Sequence, residues 1–99
     1  MDVINTSGRR KSAVARIYLS KGKGKITINN KDQKDYFPLV ELQGKLAQPF
    51  AITENVGKYD VKVNVKGGGF KGQAEAIRLG ISKALVEIDP DYKPALRAE

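Results

Sequence analysis

The sequence contains no cysteine and no histidine. Without cysteine there is no disulfide, no thiolate zinc site, no cysteine nucleophile and no thiol redox chemistry. Without histidine, the chain lacks the Ser-His and Cys-His pairs, the commonest neutral metal ligand and the usual proton shuttle near pH 7. These absences argue against an enzyme, a metal site and a cofactor, although a site built from carboxylates or lysine stays open.

Long apolar runs are also missing. No window approaches 18 consecutive apolar residues, and the first ten residues lack the apolar core of a secretory signal, so we expect a cytoplasmic protein. The 99 residues, of which 40% are hydrophobic and 29% charged, are enough for one folded domain and too few for two. We therefore expect a single domain over residues 1–99.

Positive charge is concentrated at one end of the chain. The formal net charge is +7, and residues 1–25 hold seven basic residues against Asp2 alone. The remaining 74 residues are almost neutral, with 11 basic and 10 acidic side chains. Such a distribution favours a polyanionic partner such as nucleic acid, with a charge that serves only solubility as the alternative. An anionic membrane is a weaker rival, because no amphipathic helix carries these cations.

Hydrophobic periodicity predicts alternating strands and helices. The predicted elements are a strand over residues 13–19, a hairpin over 13–28, a helix over 39–48, a strand over 60–66 and a helix over 73–88. Leu39, Leu42 and Leu46 are expected to face inward, and Pro49 to end the first helix before a short extended segment. Surface ion pairs are expected within each helix, Glu41 with Lys45 and Glu75 with Arg78. This element order predicts a two-layer α+β fold.

Residues 67–72, GGGFKG, join the predicted strand to the following helix and match the spacing G-x-G-x-x-G. A dinucleotide-binding fold would need a second parallel strand after the helix, and the remaining sequence is too short for one. A triphosphate-binding loop would need Lys and Ser or Thr where Gln73 and Ala74 stand. The pattern still favours an anion site at a helix N-terminus, with Lys66 and Lys71 beside it. A tight turn alone would also explain these glycines.

Two further features bear on nucleic-acid binding. A basic run enters the first predicted strand over residues 7–16, and its serines can also bond phosphate. The seven aromatic residues are not spaced like the paired sheet aromatics of a base-stacking protein. Among them Phe70, inside the glycine-rich loop, is a candidate for partner contact, although packing beneath the loop also fits.

Together, GRRKSAVAR at residues 8–16 and VNVKGGGFKGQA at 63–74 resemble the family of the ninth protein of the bacterial small ribosomal subunit. The resemblance extends through DYFP at 35–38, GKYD at 57–60, RLGI at 78–81 and YKPAL at 92–96. It implies an α+β domain with a mainly antiparallel sheet, helices on one face and a left-handed β-α-β crossover. It further implies a structural, non-catalytic protein that binds small-subunit rRNA in the subunit head, next to neighbouring head proteins.

The resemblance also assigns roles to the candidate residues. Arg9, Arg10, Lys11 and Arg16 are expected to contact phosphates, Gly67, Gly68, Gly69 and Gln73 to approach the RNA closely, and Lys66, Lys71 and Arg78 to flank the site as cations. Members of that family usually continue into a basic tail that reaches the peptidyl-site tRNA, and no such contact is expected here. The alternatives are a nucleotide-binding enzyme that uses the loop at 67–72, or a nucleic-acid-binding protein outside the ribosome.

Overall fold

The computed structural model describes residues 3–97. Its strands are β1 (Ile4–Arg10), β2 (Ala13–Lys21), β3 (Ile26–Ile28), β4 (Lys31–Asp32) and β5 (Tyr59–Lys66). Its helices are α1 (Gln33–Tyr36), α2 (Val40–Ile52), α3 (Phe70–Ile88) and α4 (Lys93–Arg97), with a 3₁₀ turn over Pro90–Tyr92.

The five strands form one mixed sheet in the order β1-β2-β5-β3-β4. Neighbouring strands are antiparallel except β3 and β5, which are parallel and are joined through α1 and α2. The predicted α+β class and mainly antiparallel sheet are confirmed. The left-handed crossover implied by the resemblance concerns the β3–β5 connection and stays a prediction.

Strict alternation in β2 and β5 gives the sheet one buried face and one exposed face. On the buried face, the inward side chains of β2 and the valines of β5 form one core with α3, which lies on the sheet, and with α2, which packs against α3. Of the side chains predicted for the core face of α3, Ile88 is only partly buried and the others are buried: Ala74, Ile77, Ile81, Ala84 and Leu85. On the opposite face, which we call the open face, Arg16, Lys62 and Asn64 are exposed.

Two glycines let α3 lie directly on the sheet. A Cβ atom at Gly8 in β1 would collide with the carbonyl oxygen of Ala76, and one at Gly80 would collide with the side chain of Ile17. A hydrogen bond of 2.7 Å from the Thr6 hydroxyl to the Gly80 carbonyl also joins β1 to α3. Neither position therefore has room for a side chain.

The predicted hairpin over residues 13–28 is wrong, because β5 lies between β2 and β3. Turn composition located the chain reversal correctly but could not identify the strand that each edge would pair with. The backbone of Val61 donates to the Lys25 carbonyl at 2.9 Å, and β3 pairs with β5 from Ile26 to Ile28. Placing the valine-rich strand in the centre buries its apolar face between neighbours on both sides.

The predicted end of α2 is also wrong, because the helix continues through Pro49 to Ile52. Proline removes one helical N–H, but Phe50 stays buried and the Thr53 hydroxyl donates to the Pro49 carbonyl at 2.9 Å. Burial of Leu42 and Leu46 is confirmed. Leu39 is 56% exposed, contrary to prediction, because it adopts an extended conformation at the position preceding the helix.

Candidate nucleic-acid interface

Most of the predicted site residues lie on two adjoining surfaces. The first, which we call the loop cleft, is a depression of about 600 Å³ between the β1–β2 turn and the start of α3. It is lined by Arg10, Lys11, Ser12, Lys45, Gly68, Gly69, Lys71, Gly72 and Glu75. The second is the open face, which carries Arg9, Arg16 and Lys66. The two surfaces meet where Arg9 and Arg10, consecutive in β1, point to opposite sides of the sheet.

The glycine-rich segment begins as a tightly packed turn. Gly67 and Gly68 adopt left-handed conformations, with φ of 83° and 63°. A Cβ atom at Gly67 would collide with the carbonyl oxygen of Ser12, and one at Gly68 would lie 3.2 Å from the Cβ of Ala13. Close packing against the β1–β2 turn therefore accounts for glycine at these two positions.

Gly69 differs from its neighbours, since a Cβ atom there would meet nothing within 4 Å. It is the N-cap residue of α3, and no side chain in the described part of the protein caps that helix. The helix begins at Phe70 rather than at Gln73 as predicted, and the Gln73 amide makes the first helical bond, to the Gly69 carbonyl. Amides 70–72 therefore form a first turn at the edge of the cleft, which favours a bound anion.

A chain of hydrogen bonds holds the loop from beneath. The Gln73 side chain, 8% exposed, donates through Nε2 to the Gly67 carbonyl at 3.0 Å. Its Oε1 accepts from the Tyr36 hydroxyl at 2.7 Å. The Tyr36 oxygen accepts in turn from Asn29 Nδ2 at 3.4 Å, and the Asn29 amide also bonds both backbone groups of Val65 at 2.9 Å. Both polar ends of Gln73 are thus used inside the protein, where they position the loop.

The acidic residue of the cleft is neutralised by two cations. Glu75 accepts from Lys45 Nζ at 2.8 Å and from the Arg78 guanidinium at 2.9 Å. These hydrogen bonds, that of Lys45 foremost, lower the pKa of Glu75 to about 2. The predicted Glu75–Arg78 pair is confirmed, whereas the predicted Glu41–Lys45 pair is wrong because Lys45 reaches across to α3. Arg10, Lys11 and Lys71 remain exposed and give the cleft its positive charge.

Cross-strand register arranges the cations of the open face in rows. Arg9 pairs with Val14 and Val14 with Lys66, so two cations flank one valine. In the next row, Arg16 stands opposite Asn64. Side chains in such rows are close neighbours, which makes a continuous basic surface.

Two open-face residues were absent from the predicted site. Lys62 and Asn64 alternate with the buried valines of β5, and this period-2 pattern in the sequence would have found them. Strand β1 itself was also missed, because its glycine and its charged end obscure the alternation of Ile4, Thr6 and Gly8 on the helix-facing side.

Two acidic residues, Asp60 and Glu75, have structural roles. Oδ1 of Asp60 accepts from the backbone amides of Lys23, Gly24 and Lys25 at 2.9, 3.1 and 2.9 Å. These bonds lower the pKa of Asp60 and shape the lysine-rich turn. Glu75 is held in its ion pairs. Within residues 3–97, no three acidic side chains cluster as a metal site would require, and no helix is both long and apolar enough to cross a membrane.

Comparison with known proteins gives a consistent result. Residues 8–99 match the model of the family described as ribosomal protein S9/S16. Three similar curated proteins are each called small ribosomal subunit protein uS9. The protein from Porphyromonas gingivalis is 58% identical over 99 residues, that from Christiangramia forsetii 57% and that from Amoebophilus asiaticus 52%. Each comparison covers all of this chain and 77% of the relative. The chain therefore belongs to the ribosomal protein S9/S16 family.

Proposed function

We propose that this protein is a structural constituent of the small ribosomal subunit head that binds rRNA through the loop cleft and the open face. Family membership supports the ribosomal role and a location in the cytoplasm on the ribosome, and it does not favour an enzyme. The observation that carries the binding surface is the set of exposed cations on both sides of the β1–β2 turn, beside an acidic residue that is already neutralised.

In the loop cleft, Arg10, Lys11 and Lys71 neutralise the phosphates of one RNA segment. The open position at Gly69 lets the sugar-phosphate backbone come close to the first-turn amides of α3. Gly67, Gly68 and Gln73 serve this contact by fixing the loop. Arg78 serves it through Glu75, since its side chain is only 18% exposed.

The open face contacts a second segment of the RNA backbone through four cations: Arg9, Arg16, Lys62 and Lys66. Asn64 adds an amide that can donate to phosphate or sugar oxygens. The surface is an uncovered sheet, so it suits the broad minor-groove side of an RNA helix or an extended strand.

The described residues enclose a single hydrophobic core, shared by the sheet, α2 and α3. This supports one rRNA-binding domain over residues 1–99. Neighbouring head proteins are the further partners that we propose from the family.

Titration of the protein with rRNA fragments of the small-subunit head, over a salt series, tests the proposal. An unrelated structured RNA serves as the comparison. We expect log K to fall with log salt by roughly 0.7–0.9 for each phosphate neutralised. Lys11→Ala with Lys71→Ala should flatten that slope, by about that amount for each phosphate that is no longer neutralised.

Lys58→Ala is the matched control, because Lys58 is an exposed lysine in the turn before β5, outside both proposed surfaces. It should leave the slope close to that of the unmodified protein. If Lys58→Ala flattens the slope as much, for each lysine removed, as the combined Lys11→Ala and Lys71→Ala variant does, the attraction comes from net charge and the proposed surface is wrong. Equal affinity for the unrelated RNA would favour a general nucleic-acid-binding protein.

A further inference from the structure

We infer that Tyr18 on the open face is a stacking platform for an unpaired base of the bound RNA. The inference rests on the proposed function and adds a subsite to it. The proposed phosphate contacts would hold any RNA backbone, whereas a stacking residue makes part of the surface selective for single-stranded nucleotides.

The first support is the position of Tyr18 in the sheet. It lies in β2 on the face that no described helix covers, and its side chain is half-buried rather than enclosed. Its cross-strand neighbours are Asn5 in β1 and Lys62 in β5. An aromatic ring flanked by an amide and a cation on an open sheet offers an apolar surface for a base with polar groups on both sides.

The second support is a depression beside the ring. A cleft of about 300 Å³ is lined by Val3, Tyr18, Ser20, Lys25, Thr27, Asp60, Val61 and Lys62. This volume is at the lower end of the range for small-molecule sites, which suits a single planar group. Val3 and the ring supply apolar contact, while the hydroxyls of Ser20 and Thr27 can meet the polar edge of a base.

Charge in this cleft favours a nucleotide over an uncharged aromatic ligand. Lys25 and Lys62 stand at its wall, where each can meet the phosphate on either side of a stacked base. Its one acidic residue, Asp60, is occupied by three backbone amides through Oδ1. Arg16, exposed on the same face of β2 two residues before Tyr18, extends the positive surface toward the predicted site.

Tyrosine fluorescence gives a direct test, because the sequence contains four tyrosines and no tryptophan. The probe is a short single-stranded oligoadenylate. A base stacked on Tyr18 should quench part of the tyrosine emission of the full chain. Tyr18→Phe should abolish that quench yet keep the affinity, since phenylalanine still stacks. Tyr92→Phe, which alters a half-buried tyrosine in the 3₁₀ turn, should leave the quench in place.

Affinity gives the second measurement. Tyr18→Leu should weaken oligoadenylate binding by roughly 5- to 150-fold without changing the salt slope, since stacking releases no counterions. Binding of a blunt RNA duplex with the same number of phosphates should change little. Leu39→Ala, which trims an exposed leucine at the start of α2, should alter neither.

A quench that survives Tyr18→Phe would overturn the inference, and so would a folded Tyr18→Leu variant with unchanged oligoadenylate affinity. If Tyr18→Leu does not fold, the comparison of the unmodified chain with Tyr18→Phe decides by itself. If stacking fails but the proposed function holds, the Lys11 and Lys71 substitutions should still flatten the salt slope. Failure of the proposed binding surfaces would instead show as a salt slope that the Lys11 and Lys71 substitutions do not flatten.

Discussion

Replacing Gln73 by leucine should loosen the glycine-rich loop and measurably destabilise the protein. Leucine preserves most of the buried volume but removes the hydrogen bonds to the Gly67 carbonyl and from the Tyr36 hydroxyl. A lost hydrogen bond costs little where water can replace the missing partner, but a part-buried group left unpaired, as the Tyr36 hydroxyl is here, costs about 1–3 kcal/mol. Because Gly67 is exposed, water can replace the amide that its carbonyl loses. We therefore expect a total of about 2 kcal/mol.

For a chain of this size, about 2 kcal/mol corresponds to a decrease of roughly 8–16 °C in Tm. Urea unfolding followed by circular dichroism would measure the free energy directly. Tyr36→Phe removes the shared hydroxyl bond together with the long bond of 3.4 Å from Asn29, so it should cost about 1 kcal/mol. Since both substitutions break the same bond, the double variant should be more stable than their sum implies, by about 0.5–2 kcal/mol.

Tyr92→Phe serves as the control partner, because it lies beyond the far end of α3 and should combine additively with Gln73→Leu. Additivity of Tyr36→Phe with Gln73→Leu, within about 0.3 kcal/mol, would refute the coupled network. The same variants should bind rRNA more weakly with an unchanged salt slope, because they disturb the loop and leave its cations in place.

Three further predictions concern residues outside this network. Glu75→Gln should lower the free energy of unfolding by about 1–2 kcal/mol at neutral pH. This figure allows for solvent screening of a side chain that is 22% exposed. With its pKa lowered from 4.5 to about 2, Glu75 stabilises the fold above pH 4.5, and this contribution is lost as the pH falls toward 2. Unfolding of the Gln variant across that range should show a weaker pH dependence, and an equal dependence would contradict the assignment. Asp60→Ala should speed hydrogen exchange at amides 23–25, because these amides donate to its carboxylate. Unchanged protection there would mean that the turn is stable without the Asp60 side chain. Gly8→Ala should destabilise by about 3 kcal/mol or more, whereas Gly44→Ala, with open space around it in α2, should stabilise by about 0.5–1 kcal/mol. Thermal unfolding separates these two cases, and a neutral Gly8→Ala would show that α3 can shift off the sheet.

The strongest periodic signals in the sequence predicted their elements correctly. The alternation of Val61, Val63 and Val65 specified a strand with one buried face, and the spacing from Ala74 to Leu85 specified the core face of α3. Each pattern repeats over several neighbouring residues, so it specifies its element without information on the rest of the chain. The α+β class follows from the same patterns.

Local signals failed where a distant contact outweighed them. Pro49 was expected to end α2, but burial of Phe50 against the core continues the helix for another turn. Lys45 was expected to pair within its own helix, but Glu75 on α3 provides a better-enclosed partner. In each case the competing interaction joins residues distant in sequence, and periodicity contains no information on such pairs.

The sequence by itself determined that the protein is basic, lacks thiol and imidazole chemistry, and carries a glycine-rich loop between a strand and a helix. Only the tertiary structure decided that β5 lies between β2 and β3, because strand pairing depends on which apolar faces can be buried together. It also separated Gly67 and Gly68, which are packed against the β1–β2 turn, from Gly69, which is open. Finally, it placed Lys62 and Tyr18 among the cations of one exposed face, since register between strands sets which distant side chains become neighbours.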